Sequence, residues 1–419
     1  MDNEIYRNMR HNYLVNLGDG AFFGFAIGFA SFSTILPLFV STMTNSALLI
    51  GLVPALHVMG WQLPQLLTAP KLTHLSQFRP FVISMSIQER LPFLGLAIVA
   101  ALLPAIGVKT GLVLTFIMLT WQGLGGGLTA NGWQNMIARV IPSELRTTFF
   151  GIQSAVANLL ASASAVIAGL ILDRYQSPYD FTACFLLASL ALAISWLFLR
   201  MTREPERATP QLQTALSLSS HVLRVLKQDK NFVWFLVTRI FSQFATMAFA
   251  FYIVFAVNYH GMSEVTAGIM TSVLLITQTI ANPVLGWLGD RWSRRRVIEL
   301  GAMAALISAL IAAFSPSLGW FYVVFILTGI ANTAFWTVGI AYSLEFGPEE
   351  ERPIYVGMAN TLIAPAAILA PMLGGWLADL TGYKITFIVS ALASLVTILI
   401  LHCLLRDPAI QSSSDLQRA

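Results

Sequence analysis

Charge is scarce in this chain. Only 11% of its 419 residues are Asp, Glu, Lys or Arg, against roughly 25% in an ordinary soluble domain. With 56% hydrophobic residues, such a chain cannot cover a water-facing surface, and a soluble globular class is excluded. Cysteine is scarcer still, with only Cys184 and Cys403. Both lie in apolar runs and, on the topology below, near opposite membrane faces, whereas a disulfide needs Cα atoms within about 7 Å. No Cys/His spacing suits a metal, no nucleophile–base pair suggests an enzyme, and no cofactor is expected. No basic stripe interleaved with aromatics is present, so nucleic acid is not an expected partner. The start, Met1-Asp2-Asn3-Glu4, carries acids where a secretory signal carries lysines, so the first apolar run is read as a retained helix.

Long apolar runs are what the chain has in quantity. A membrane-spanning helix needs about 20 mostly apolar residues. Twelve such runs occur, at about 15–41, 47–69, 81–104, 110–136, 148–172, 181–200, 232–258, 266–288, 296–314, 319–344, 354–378 and 384–405. They are called spans 1 to 12 below. The breaks between them carry Pro, Gly, Ser and Thr and are short, so consecutive spans run antiparallel. The prediction is an all-α membrane protein with twelve transmembrane helices. Lys and Arg orient it. Lys109, Arg174 and Lys384 alone fall in odd-numbered gaps, Arg90 and Arg239 fall within spans, and the other nineteen of 24 lie at the termini or in even-numbered gaps. Both termini are therefore expected in the cytoplasm.

One gap is long. It holds Arg203, Glu204, Pro205, Glu206 and Arg207, then leucines at helical spacing, Leu212, Leu216, Leu223 and Leu226. The expected organisation is an N-terminal six-helix bundle over 1–200, a cytoplasmic linker with an amphipathic helix over 201–231, and a C-terminal six-helix bundle over 232–419. The halves repeat. At a shift of 206, Pro142 meets Pro348, Glu144 meets Glu350, Arg146 meets Arg352, Gly151 meets Gly357 and Asp173 meets Asp379. Secondary transporters place their solute site at the interface of such repeats.

Gly286-Trp287-Leu288-Gly289-Asp290-Arg291-Trp292-Ser293-Arg294-Arg295-Arg296 stands between spans 8 and 9. Its charges cannot lie in hydrocarbon, so it marks a membrane edge. The stretch resembles the loop motif of the major facilitator superfamily, G-x-L-x-D-R-x-G-R-R/K, matching at Gly286, Leu288, Asp290, Arg291, Arg294 and Arg295, with Ser293 in place of the last glycine. The first-half copy at 70–80 has lost the aspartate. Gln122-Gly123-x-Gly125-Gly126 is similar to the end of the family's helix 4 motif, with Leu119 where its arginine stands. Ala370-Pro371-Met372-Leu373-Gly374-Gly375 echoes the antiporter motif, which is absent from span 5. The chain is thus similar to uncharacterised bacterial members. The resemblance implies the major facilitator fold, two six-helix pseudo-repeat bundles, and alternating access.

The resemblance also implies that Asp290 faces the start of span 5 near Arg146-Thr147-Thr148. The residues Gly286, Asp290, Arg291, Arg294, Arg295 and Arg146 are then expected to form a cytoplasmic gate, the alternative being a solvated positive anchor. Asp19 in span 1 and Arg239 in span 7 are expected to pair, for coupling or as a brace. Glu89 and its neighbour Arg90, which points about 100° away on the helix, are read as structural groups near the inner interface, with a protonatable Glu89 as the alternative. The candidate solute-binding residues are polar groups near mid-span: Ser31, Ser33, Gln122, Asn158, Gln243, Thr246, Gln278, Asn332, Trp336 and Asn360. Each has an interhelical hydrogen bond as its alternative role. Glu299 is expected to tie to the arginines of the loop. The reading is a secondary active transporter of the cell membrane, expected to be a monomer, moving a small solute and exchanging protons. Export of an amphipathic compound is favoured by the aromatic load of spans 1 and 7. An uptake carrier or uniporter for a small metabolite, or a non-transporting sensor, stays open.

Overall fold

The computed structural model describes residues 2–32, 34–44, 46–206, 218–262 and 264–407, and among these it contains helices and turns but no strand. Ten helices are long and apolar enough to cross a membrane, and they are spans 3 to 12. Spans 1 and 2 complete the twelve as broken helices, Asp2–Phe29 with Ile35–Ser41 and Ala47–Gln62 with Gln65–Leu72. A proline ring clashes with the carbonyl four residues earlier in a helix, and Pro64 stands at the second interruption. Pro365 stands at the break in span 11, which is divided into Arg352–Thr361 and Ala364–Thr381. Span 7 has no proline there. Instead it tightens to a 3-10 turn at Met247–Phe251, just after Ser242 and Thr246 turn their hydroxyls back onto the carbonyls of Arg239 and Gln243. Such back-bonding bends helices. Span 10 loosens in the opposite sense, to a π turn at Ala334–Val338.

By internal contacts the chain divides into two units. The first holds residues 1–142, 156–212 and 356–361; the second holds 143–155, 213–355 and 362–419. Within the first unit span 1 packs on span 6, span 3 on spans 4 and 6, and span 2 on span 4. Within the second the same pairings recur as 7 on 12, 9 on 10 and 12, and 8 on 10. The duplication seen in the residues is thus a duplication of packing. Small residues allow it. Gly60 and Gly123 meet backbone to backbone, and a Cβ on Gly123 would lie 2.9 Å from the Leu56 carbonyl oxygen. Close approach of this kind drives helix association where lipid removes the hydrophobic incentive. Phe39, Phe93, Phe181 and Phe185 fill the first core, and Tyr252, Phe255, Phe321 and Phe387 the second. Cys184 is buried, Cys403 is exposed, and both are free.

Each unit also closes its ends in the same way. Asn12 accepts from the backbone N–H of Arg203 at 2.8 Å and donates to the Arg203 carbonyl at 2.9 Å. Asn231 does likewise with Arg406, at 2.8 and 2.9 Å. The start of the first helix of each half is thus tied to the exit of its sixth. Of the expected amphipathic segment, Leu212 and Leu216 lie outside the described residues. Leu223 and Leu226 fall on the helix Leu218–Gln228, whose Arg224 donates to Glu351 at 2.6 Å.

Candidate functional site

In the second unit the carboxylate of Asp290 is almost wholly buried and sits on the start of the helix Arg146–Arg174. Its oxygens accept from the backbone N–H groups of Thr147 at 3.1 Å and Thr148 at 2.6 Å. The first N–H groups of a helix have no intrahelical partner, and the helix start carries about half a positive charge, so the carboxylate meets both needs. Arg294 donates to Asp290 at 2.7 Å, to Thr147 Oγ1 at 2.6 Å and to the Ser143 carbonyl. Its Nη1 lies 3.1 Å from Glu345, to which Arg146 comes within 3.9 Å. Gly286 lets the two helices approach: a Cβ there would be 2.6 Å from the Thr147 carbonyl oxygen. Arg295 donates instead to the Leu405 carbonyl at 2.6 Å. Arg291 is exposed, with its guanidinium 5.8 Å from the Trp287 ring. Glu299 does not join the arginines; it pairs with His402 at 2.9 Å.

The first unit has a different polar centre. Asp19 accepts from Arg90 Nη2 at 3.0 Å and from Ser195 Oγ at 2.6 Å, joining spans 1, 3 and 6. Glu89 Oε2 lies 3.6 Å from Arg90 Nη1. Two expectations are corrected here. The cation on Asp19 is Arg90, where Arg239 was expected. Glu89 and Arg90 do meet, because the arginine side chain is long enough to curl across the angle between adjacent helical positions. Arg239 lies buried in the second unit, with Gly339 and Phe235 beside it.

The mid-span amides do not form one constellation. Asn360 donates to Gln65 Oε1 at 2.7 Å and, more weakly, to Gln134 Oε1 at 3.3 Å. Asn131 donates to the Gln65 carbonyl and Asn135 to Asn131 Oδ1. This amide cluster holds residues 356–361 against spans 2 and 4 within the first unit, and Thr361 Oγ1 accepts from Leu66 N–H at 3.1 Å. Gln65, Asn131, Gln134 and Asn135 were not singled out, although Asn131 and Asn135 stand one helical turn apart inside an apolar span. Gln122 Oε1 accepts from His57 Nδ1 at 3.1 Å. Thr246 spends its hydroxyl on its own helix. Ser31, Asn158, Gln243, Gln278 and Asn332 are half-buried, and Trp336 is exposed on the π turn. Ser33 lies outside the described residues.

A further acid, to which the sequence reading gives no role, stands in the linker. Glu204 accepts from the backbone N–H groups of Phe78 at 3.0 Å and Arg79 at 2.6 Å, at the start of span 3, and lies 3.3 Å from Arg139. Burial pushes its carboxyl above the usual glutamate range, while those two N–H groups and the Arg139 guanidinium pull the other way. Its counterpart is Asp407, which accepts from Ser293 Oγ at 2.5 Å at the start of span 9. The signal was available: Arg203-Glu204 and Arg406-Asp407 repeat at a shift of 203. Among the described residues no cluster of His, Cys, Asp and Glu is suited to a metal.

The comparisons with known proteins agree with this architecture. The Major Facilitator Superfamily pattern matches residues 89–263 and again 239–419, and the chain belongs to that family. It is a multi-pass membrane protein whose relatives are transporters rather than enzymes. The class H tetracycline resistance protein of Pasteurella multocida is 27% identical over 133 residues, 32% of this chain and 33% of that protein. The vesicular acetylcholine transporter of Mus musculus is 30% identical over 139 residues, 33% of this chain and 26% of that protein. The chain thus matches a third or less of the length of these relatives. Among solved structures, the E. coli fucose:proton symporter FucP superposes with a TM-score of 0.72 at 16% identity, over 93% of this chain and 98% of that one. At that identity the likeness concerns the fold.

Proposed function

We propose that this protein is a secondary active transporter that moves a small amphipathic solute by alternating access, exchanging it against protons in the direction of export. The cap of Asp290 on the start of span 5 carries the reading. It is a contact between one loop and one helix start, held by Arg294 and Glu345, of a kind that can be made in one state and released in another. Gly286, Arg291, Arg295 and Arg146 belong to this cytoplasmic gate as packing, anchoring and charge partners. The Asp19–Arg90–Glu89 cluster supports proton exchange: one cation between two acids changes its net charge with a single proton, within the membrane. Ser31, Ser33, Gln122, Asn158, Gln243, Thr246, Gln278, Asn332, Trp336 and Asn360 are assigned to the solute path or to the hydrogen bonds that shape it. The bundles are 1–200 and 232–419, joined by the linker 201–231, with both termini in the cytoplasm as the Lys and Arg bias supports. Export is favoured by the aromatic load of spans 1 and 7 and by a relative named for tetracycline resistance.

The test is flux in proteoliposomes with and without an imposed pH gradient, for solutes first found by ligand-induced rise in Tm. Flux that ignores the gradient removes proton exchange and leaves a uniporter. Ligand binding with no flux removes transport.

A further inference from the structure

Arg239 is a cation that no carboxylate among the described residues pairs with. It stands in the helix Lys230–Ala245 and is only 7% exposed. Nη1 is buried and has no hydrogen-bond partner. Among the described residues no carboxylate pairs with it, and none of its side-chain nitrogens donates to a protein acceptor. Its neighbours explain why. The guanidinium carbon is 6.0 Å from the Phe235 ring, and a Cβ on Gly339 would lie 3.4 Å from Nη1. One turn nearer the helix start, the rings of Phe235, Tyr342 and Phe346 pack together with centroids 4.5 to 5.4 Å apart. That aromatic layer contains no carboxylate. The acid expected to serve, Asp19, is already held by Arg90 and Ser195 in the other unit.

An unpaired charge inside a membrane protein is costly and marks a functional position by default. The surroundings agree. Span 10 leaves α-helical geometry at Ala334–Val338, directly before Gly339, and π turns concentrate at functional sites. Span 7 departs from it at Met247–Phe251, two turns beyond Arg239.

We propose that Arg239 receives the carboxylate of the transported solute, which is an organic monoanion with an apolar or aromatic body. The proposal rests on the transport reading above and narrows it. One planar guanidinium that no acceptor among the described residues engages matches one carboxylate, bidentate, as arginine prefers. The exposed Trp336, three residues before Gly339, supplies apolar surface for the rest of the molecule. The same cation disfavours a cationic solute.

Two measurements decide it on the purified full-length protein. The first needs no ligand. Removing an uncompensated charge should stabilise, so Arg239→Gln and Arg239→Met should raise the ligand-free Tm by about 1–3 °C. A fall would mean that the arginine braces the fold, and the proposal would be wrong. The second compares indole-3-acetate with indole-3-acetamide, and phenylacetate with phenylacetamide, at matched ionic strength. The acids should raise the Tm of the wild type and not of Arg239→Gln, and Arg239→Lys should keep the response at roughly tenfold or more weaker affinity. Equal response to acid and amide, an undiminished acid response in Arg239→Gln, or no response to either acid would overturn the assignment. If the acids bind through Arg239 but are not carried in proteoliposomes, the anion site stands and the transport reading falls.

Discussion

Replacing Asp290 by Asn changes one oxygen to a nitrogen and tests the cap directly. The carboxylate accepts from two backbone N–H groups and one guanidinium. An asparagine keeps one acceptor, turns an NH2 group toward N–H donors, and removes the charge. Loss of the interaction with a partly buried helix start costs up to about 2 kcal/mol, and loss of a charge-assisted hydrogen bond about 1.5–3 kcal/mol. The two overlap, so the local cost is placed at roughly 2–4 kcal/mol. At 1.4 kcal/mol per factor of ten, this means that the start of span 5 is released roughly 30- to 700-fold more often. Hydrogen exchange followed by mass spectrometry reads this at Thr147 and Thr148. Their N–H groups lie in the first turn, where no intrahelical acceptor exists, so protection there comes from Asp290. Asp290→Asn should speed exchange in a peptide covering 146–151 by that factor, while span 9 exchanges as before. Unchanged protection at Thr147 and Thr148 would refute the argument, since the cap would then contribute nothing to holding the helix start.

Further outcomes follow from the same geometry. Gly286→Ala forces a methyl against the Thr147 carbonyl oxygen and should cost about 1–3 kcal/mol, as overpacking does; Gly169→Ala, where nothing lies within 4 Å, should be neutral or raise the Tm. Arg90→Gln should lower the Tm strongly by stranding the buried acids Asp19 and Glu89, by about 3–5 kcal/mol, whereas Asp19→Asn leaves Arg90 beside Glu89 and should cost less; equal damage in the two variants would deny the cluster. The Glu204 carboxyl is raised in the folded state, so its contribution to stability is fully present below the ordinary glutamate value of 4.5 and is lost as pH rises through the folded value. Melting curves of Glu204→Gln should therefore gain on the wild type as pH rises from about 4, and parallel pH profiles would refute the shift.

The architecture was legible because a membrane leaves a chain few choices. Twenty apolar residues make a span, but the breaks near Pro37, Pro64 and Pro365 were not legible, since Pro54, Pro92, Pro283 and Pro371 sit inside unbroken helices. The contact of Asp290 with the start of span 5 came from the family resemblance of its loop and not from the spacing of the residues. What the residues do not reveal is the rotation of one helix about its axis relative to the next. That is why the cation on Asp19 is Arg90 rather than Arg239, and why Glu299 turns to His402. Glu204 was overlooked for another reason: it lies past the end of a span, where hydrophobic patterning is silent and only the repeat marks it.

The reciprocal bonds of Asn12 with Arg203 and of Asn231 with Arg406 turn each six-helix half into a loop that ends beside its own beginning. A closed loop does not need the peptide chain outside it. A cut between residues 206 and 218 falls outside both loops and severs neither clasp. Two co-expressed chains, 1–206 and 218–419, should therefore co-purify and keep the Tm of the intact protein to within a few degrees. The same cut with Asn12→Ala and Asn231→Ala should not.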